Sequence, residues 1–166
     1  MADTTTAAAG SVTVAGAEAD GPLRFAICVA TFYGDLAERL VAGAREGFAE
    51  AGIDAGQIDI FEVPGAFELP LAALLCLETG NYHGVACLGV VIRGETSHYD
   101  HVCAETARGI QDVSLMTSIP CAFGVITCEN RDQAEARTGG GKRDQGRNAA
   151  AAVLQLVAMR QRLEQA

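Results

Sequence analysis

Residues 92–98 read Ile-Arg-Gly-Glu-Thr-Ser-His and close an apolar run over 84–92. A strand that ends at a glycine and passes into a helix leaves free backbone N–H groups at 94–97. Those groups and the helix dipole favour a phosphate or a carboxylate. Ser97 with Asp100 behind it also suits a capping arrangement, so a capped loop without a ligand is the competing reading. Loops at strand ends carry function out of proportion to their length, which favours a site. His98 and His101 stand at i and i+3 and share a helical face. An imidazole beside a bound phosphate makes a proton shuttle, because it titrates near working pH. A metal held by this pair with Cys103 or Glu105 is conceivable, yet no standard zinc spacing is present. His83, ahead of a strand, reads as a surface residue.

Three further places carry candidates. In Val63-Pro64-Gly65-Ala66-Phe67-Glu68-Leu69-Pro70, Glu68 falls in a first helical turn. It can complement the helix dipole there or accept hydrogen bonds from ligand hydroxyls, and local grounds leave both open. Phe32-Tyr33 follows an apolar run, where an aromatic ring can stack on a planar ligand or turn into the core. Arg137 precedes Gly139-Gly140-Gly141, a setting for anion contact or for a solvated charge. Lys142 and Arg143 read as solvated. GxGxxG, Walker and GxSxG motifs are absent, so nucleotide-hydrolase and serine-hydrolase readings lack support.

These loops need elements to position them. Apolar or β-branched runs predict strands at 23–30, 57–63, 84–92 and 119–128. Helical spacing predicts helices at 35–51, 66–78, 97–116, 131–137 and 144–164, with Gly52 and Gly80 as stops. Strand and helix alternate four times. That predicts a three-layer α/β/α sandwich around a flavodoxin-like four-stranded parallel sheet of order 2-1-3-4. Ligands in such folds bind beyond the carboxyl ends of the strands, where the loops above fall. Residues 1–21 read as a flexible N-terminal arm, with a Val-rich patch at 11–14 able to dock on a partner subunit as an edge strand. Residues 22–166 read as a single domain.

The 166 residues carry a net charge of −9, which argues against nucleic-acid and anionic-membrane partners. A small anionic substrate needs only a local positive site. The six cysteines lie mostly in apolar runs without CxxC spacing and read as small buried hydrophobes in a reducing compartment. The N-terminal segment does not read as a secretory signal, and no apolar run reaches a membrane span, so the expected location is the cytoplasm.

The blocks ATFYGDLAERLVAGA, VPGAFELP, GVVIRGETSHYDHVC and IPCAFGVITCENRDQAEAR, in this order and register, resemble the lumazine synthase family from about Leu23 onward. The resemblance implies a transferase of the penultimate step of riboflavin biosynthesis. Such an enzyme condenses 5-amino-6-(D-ribitylamino)uracil with 3,4-dihydroxy-2-butanone 4-phosphate and releases phosphate and water. It implies no cofactor and no metal. Under it, Phe32 stacks on the pyrimidine, and Ala66, Phe67 and Glu68 hold the ribityl chain. Val90, Val91 and Ile92 form the strand end that reads the uracil edge. Glu95 and Thr96 belong to the phosphate turn, with Arg137 as the phosphate arginine and His98 as the proton-transfer residue. Phe123 matches a ring contact from a neighbouring subunit.

The resemblance also implies a homopentamer with sites between subunits, an icosahedral shell of sixty subunits as a further possibility, and riboflavin synthase as a possible partner. One departure stands out. Gln145-Gly146 occupies the position of a common Lys-Gly, so a secondary phosphate contact is missing unless Lys142 or Arg143 replaces it. The alternative function is a paralogue that binds riboflavin or a lumazine, or builds a shell, without catalysis.

Overall fold

The computed structural model describes residues 21–141 and 143–166. The expected arm, apart from Gly21, lies outside the described residues, as do the patch at 11–14 and Lys142.

Strands β1 (Phe25–Ala30), β2 (Ile58–Val63), β3 (Val85–Ile92) and β4 (Cys121–Cys128) form one sheet of order β2-β1-β3-β4. All three pairings are parallel. Helices α1 (Gly34–Glu50), α2 (Leu69–Glu78), α3 (His98–Thr117), α4 (Arg131–Glu135) and α5 (Gln145–Glu164) alternate with them. The architecture agrees with the α/β order expected from the sequence.

Period-two alternation along the strands sorts the core into two layers. Phe25, Ile27 and Val29 of β1 face α1 and α5, together with Leu36, Leu40, Phe48, Val153 and Leu154. Ala26, Cys28 and Ala30 face α2 and α3, together with Leu69, Ala73 and Ile110. Every residue of β1 is buried, which explains why its run is apolar throughout. The N-cap residue Tyr33 makes no side-chain capping bond to α1, and the fully buried Leu36, Leu40 and Phe48 hold the helix in place. Each such side chain contributes about 1.5–3 kcal/mol on burial. At its end the amides of Gly52 and Ile53 bond to the carbonyls of Ala49 and Phe48, the expected stop.

Three element starts fall two or more residues later than the sequence expectation: β1 begins at Phe25 rather than Leu23, and the other two shifts lie at prolines. Pro70 lacks the amide that would bond to the carbonyl of Ala66. Residues 66–68 therefore close as a separate 3₁₀ turn, and α2 begins at Leu69. Pro120 likewise cannot donate to a ladder. Its carbonyl accepts from Val85 N at 2.8 Å, and β4 begins one residue later. Helix α4 is also shorter than expected and ends at Glu135, with Ala136–Thr138 continuing as a tight turn.

Gly89 lets the start of α2 pack closely on β3 beside β1. A Cβ there would lie 3.2 Å from Ala30 Cβ and 3.4 Å from Leu69 Cδ1. At Gly146 a Cβ would lie 2.9 Å from the carbonyl carbon of Leu40 and 3.0 Å from Ala44 N. The first turn of α5 therefore rests directly on the backbone of α1.

Candidate active site

The chain passes from β1 to β2 on one side and then to β3 on the other, so β1 and β3 flank the switch point of the sheet. A cavity of about 560 Å³ opens there. The loop after β1 supplies Phe32 and Tyr33. The turn after β2 supplies Gly65, Ala66, Phe67 and Glu68, and the end of β3 supplies Val90, Val91 and Ile92. Gly94, Thr96, His98, Tyr99, His101 and Val102 complete the wall. Nine of the residues singled out from the sequence thus meet in one place: Phe32, Ala66, Phe67, Glu68, Val90, Val91, Ile92, Thr96 and His98.

Phe32 is 74% exposed and Phe67 is 57% exposed, so neither ring is spent on the core. The Phe32 ring meets Tyr33 edge-on with centroids 5.0 Å apart, which leaves its other face open. Glu68 makes no side-chain capping bond to α2. The carboxylate stays at the helix N-terminus, where the dipole favours it, and lies over Gly65 at the cavity wall, open to a ligand.

The turn at 94–97 is exposed and short of internal ties. Ser97 does not cap α3 through its side chain, which counts against the competing capped-loop reading. Its backbone is already helical, whereas a capping residue ordinarily keeps an extended backbone. Thr96 Oγ1 accepts from His98 N instead, at 3.3 Å. Asp100 turns outward to Arg93 at 3.0 Å. Arg93 also pairs with Glu129 and stacks on the Tyr99 ring, its Cζ 4.1 Å from the centroid. The two carboxylates hold the Arg93 guanidinium above its ordinary pKa.

Glu95, Phe123 and Arg137 do not line this cavity. Glu95 is exposed on the turn. Phe123 lies on the edge strand β4 and is 44% exposed. Arg137 is half-buried, and its Nη1 donates to the carbonyl of Gln133 at 2.8 Å. Gln145 N donates to the carbonyl of Arg137 at 3.0 Å, which closes the glycine loop between them. Arg143 is exposed. His83 is not a plain surface residue, because its Nδ1 accepts from Arg24 N at 3.1 Å and secures the start of β1.

Tyr99 and Val102 line the cavity although sequence reasoning did not single them out. The available signal was the spacing of 98, 99, 101 and 102, which is one helical face. The cysteines take no part in the wall. The Cys28 thiol is held protonated by its hydrogen bond with Cys76 and by burial, and burial raises Cys87 as well. Among the described residues no group of three or more His, Cys, Asp or Glu is placed to hold a metal ion. Nor is any described helix long and apolar enough to cross a membrane.

An open parallel sheet with an amide-rich turn, a carboxylate, exposed rings and a histidine at its switch point defines an α/β enzyme acting on a small molecule. The comparisons narrow that class. The family model for 6,7-dimethyl-8-ribityllumazine synthase matches residues 22–161. A 6,7-dimethyl-8-ribityllumazine synthase of Ruthia magnifica subsp. Calyptogena magnifica is 41% identical over 146 residues, covering 85% of this chain and 87% of that protein. One from Salinibacter ruber (strain DSM 13855 / M31) is 40% identical over 141 residues, covering 85% and 90%. The chain belongs to the 6,7-dimethyl-8-ribityllumazine synthase family.

Proposed function

We propose that the chain condenses 5-amino-6-(D-ribitylamino)uracil with 3,4-dihydroxy-2-butanone 4-phosphate, giving 6,7-dimethyl-8-ribityllumazine, phosphate and water. The observation that carries this reading is the meeting of Phe32, Glu68, the β3 end and the Thr96–His98 turn around one cavity in a chain of this family. The open face of Phe32 stacks on the pyrimidine. Glu68 accepts from ribityl hydroxyls, with Ala66 and Phe67 shaping that end. The backbone at Val90, Val91 and Ile92 reads the uracil edge.

The amine attacks the ketone and loses water to give an imine. Elimination of phosphate yields an enol that tautomerises to a ketone; the ribitylamino nitrogen attacks that carbonyl, and loss of a second water closes the ring. His98 moves protons in these steps, and the turn at Glu95 and Thr96 holds the phosphate. Holding two substrates together supplies much of the rate. Arg137 and Phe123 act across a subunit boundary, from a second copy, which is consistent with their lying off the cavity of their own chain.

The working unit is a homopentamer of single domains spanning 22–166, and a shell of sixty subunits is the further assembly that sedimentation tests. Large apolar side chains exposed on α2 (Leu71, Leu75), α3 (Leu115, Met116) and α5 (Leu156, Met159, Leu163) support burial against copies of the chain. Its setting is the cytoplasm, with riboflavin synthase as the enzyme it serves. The decisive experiment is turnover with both substrates, followed by lumazine absorbance and phosphate release. Equal molar amounts of the two products are expected. No product at any enzyme concentration overturns the reading in favour of a binding or shell-forming paralogue. Sedimentation separates a pentamer from a particle of sixty chains.

A further inference from the structure

Arg93 is the first residue after β3, and its side chain reaches three groups. Nη1 donates to Asp100 Oδ1 at 3.0 Å. Nε contacts both Glu129 oxygens, at 3.1 Å and 3.0 Å. The guanidinium plane covers Tyr99 at 4.1 Å. Its amide donates to the carbonyl of Cys128 at 2.9 Å, so the ends of β3 and β4 are already paired at that point. Asp100 and Tyr99 lie in the first turn of α3, and Glu129 follows β4. One planar cation therefore joins two strand ends to the helical turn that carries His98.

The turn between has little else to fix it. Gly94 faces open space, and among the described residues the turn's side-chain tie is the bond from His98 N to Thr96 Oγ1. Both carboxylates are 58% exposed, so these ion pairs contribute little to global stability. A planar fork does, however, fix direction.

We propose that Arg93 is a positioning residue for the reaction, holding the amides of 94–97 and the His98 imidazole in one relative orientation while touching neither substrate. The proposal rests on the functional reading given above. Lysine can keep the charge but cannot stack on Tyr99 and bridge Asp100 and Glu129 at once.

The test compares Arg93→Lys and Arg93→Met with the wild-type chain, after thermal denaturation confirms that both fold. The expected result is a kcat lower by roughly tenfold to a hundredfold in both, since small misplacements at a reacting centre cost that much. The KM for the uracil substrate, bound through Phe32 and Glu68, stays near the wild-type value. A second readout needs no turnover: inorganic phosphate is titrated against the amide resonances of 94–97. Its affinity is expected to fall about tenfold in Arg93→Met, because the amides no longer converge. Wild-type kcat and phosphate affinity in Arg93→Met, or full rescue by Arg93→Lys, overturns the proposal. An inactive wild-type chain overturns the functional reading instead, and the phosphate titration still decides the role of Arg93.

Discussion

The carboxylate of Asp144 sits so close against Gly43 that a methyl on Gly43 would lie 2.6 Å from Asp144 Cγ. Asp144 is 1% exposed, and its oxygens accept from Gly140 N at 2.7 Å and Arg147 N at 3.1 Å. It caps α5 and anchors the glycine loop that begins at Arg137. Gly43→Ala should therefore destabilise the protein by about 1–3 kcal/mol through overpacking. Asp144→Ala should cost about 1–2 kcal/mol through the lost cap and the stranded Gly140 amide. Because Asp144 is what the new methyl would strike, the double variant should be more stable than the sum of the two losses implies. Urea denaturation of all four chains measures the coupling. Simple additivity would mean that α1 moves aside and no clash exists.

Thr106 offers the opposite case. It is fully buried on α3, and its hydroxyl has no hydrogen-bond partner among the described residues. An unsatisfied buried hydroxyl carries a desolvation cost of about 1–3 kcal/mol, which valine of nearly the same shape removes. Thr106→Val should raise the melting temperature by about 2–4 °C for each kcal/mol recovered in a domain of this size. A lowered melting temperature would show that the hydroxyl has a partner in solution.

Stability should respond to pH at both extremes through the group around Asp59. Arg24, then Tyr82, holds the Asp59 carboxyl below its ordinary 3.8. That contribution is complete above about pH 4 and is lost as the pH falls through the depressed value. Tyr82 is pushed up to about 12 by burial and by its bond to Asp59, from an ordinary 10.0. Its contribution is complete below about pH 10 and is lost as the pH rises through about 12. Tyr82→Phe should flatten the alkaline fall in urea midpoint, and Asp59→Asn should flatten the acid one. An alkaline limb unchanged in Tyr82→Phe would place the loss elsewhere.

Much of this architecture is legible in the sequence because both faces of the sheet are covered. The uninterrupted apolar runs at β1 and β3 follow from that, and Gly52 and Gly80 mark helix stops by local rules. The loops carrying Phe32, Glu68 and His98 fall at strand ends, so their convergence follows from parallel order alone. What is not legible depends on register or on distant packing. Arg93 meets Glu129 because Ile92 pairs with Cys128, a register set across the sheet. Asp144 meets Gly43 only once α5 lies on α1. Ser97 takes helical backbone angles and Thr96 is the acceptor in this turn, a choice that residue type alone does not determine.

His98→Ala should slow turnover roughly a hundredfold to ten-thousandfold, the range for removal of a general acid–base group. Substrate affinity should change less, because under the proposed function Phe32 and Glu68, not His98, hold the pyrimidine and ribityl parts. Single-turnover kinetics with direct binding measurements separate the two. Unchanged rate and unchanged phosphate affinity would remove His98 from the mechanism.

Arg137→Ala should raise the KM for the butanone phosphate roughly tenfold or more, the worth of one or two charge-assisted hydrogen bonds. In this chain Arg137 is off the cavity that contains His98, with its Nη1 on the carbonyl of Gln133. If a site takes His98 from one subunit and Arg137 from the next, the two defects can complement. Refolding His98→Ala chains together with Arg137→Ala chains should then create some sites with both wild-type residues, and activity should exceed that of either variant assembled alone. If both residues of a site come from the same chain, every site in the mixture lacks one of them and no activity returns. An unchanged KM in Arg137→Ala would mean that the phosphate is held by the 94–97 turn without the arginine.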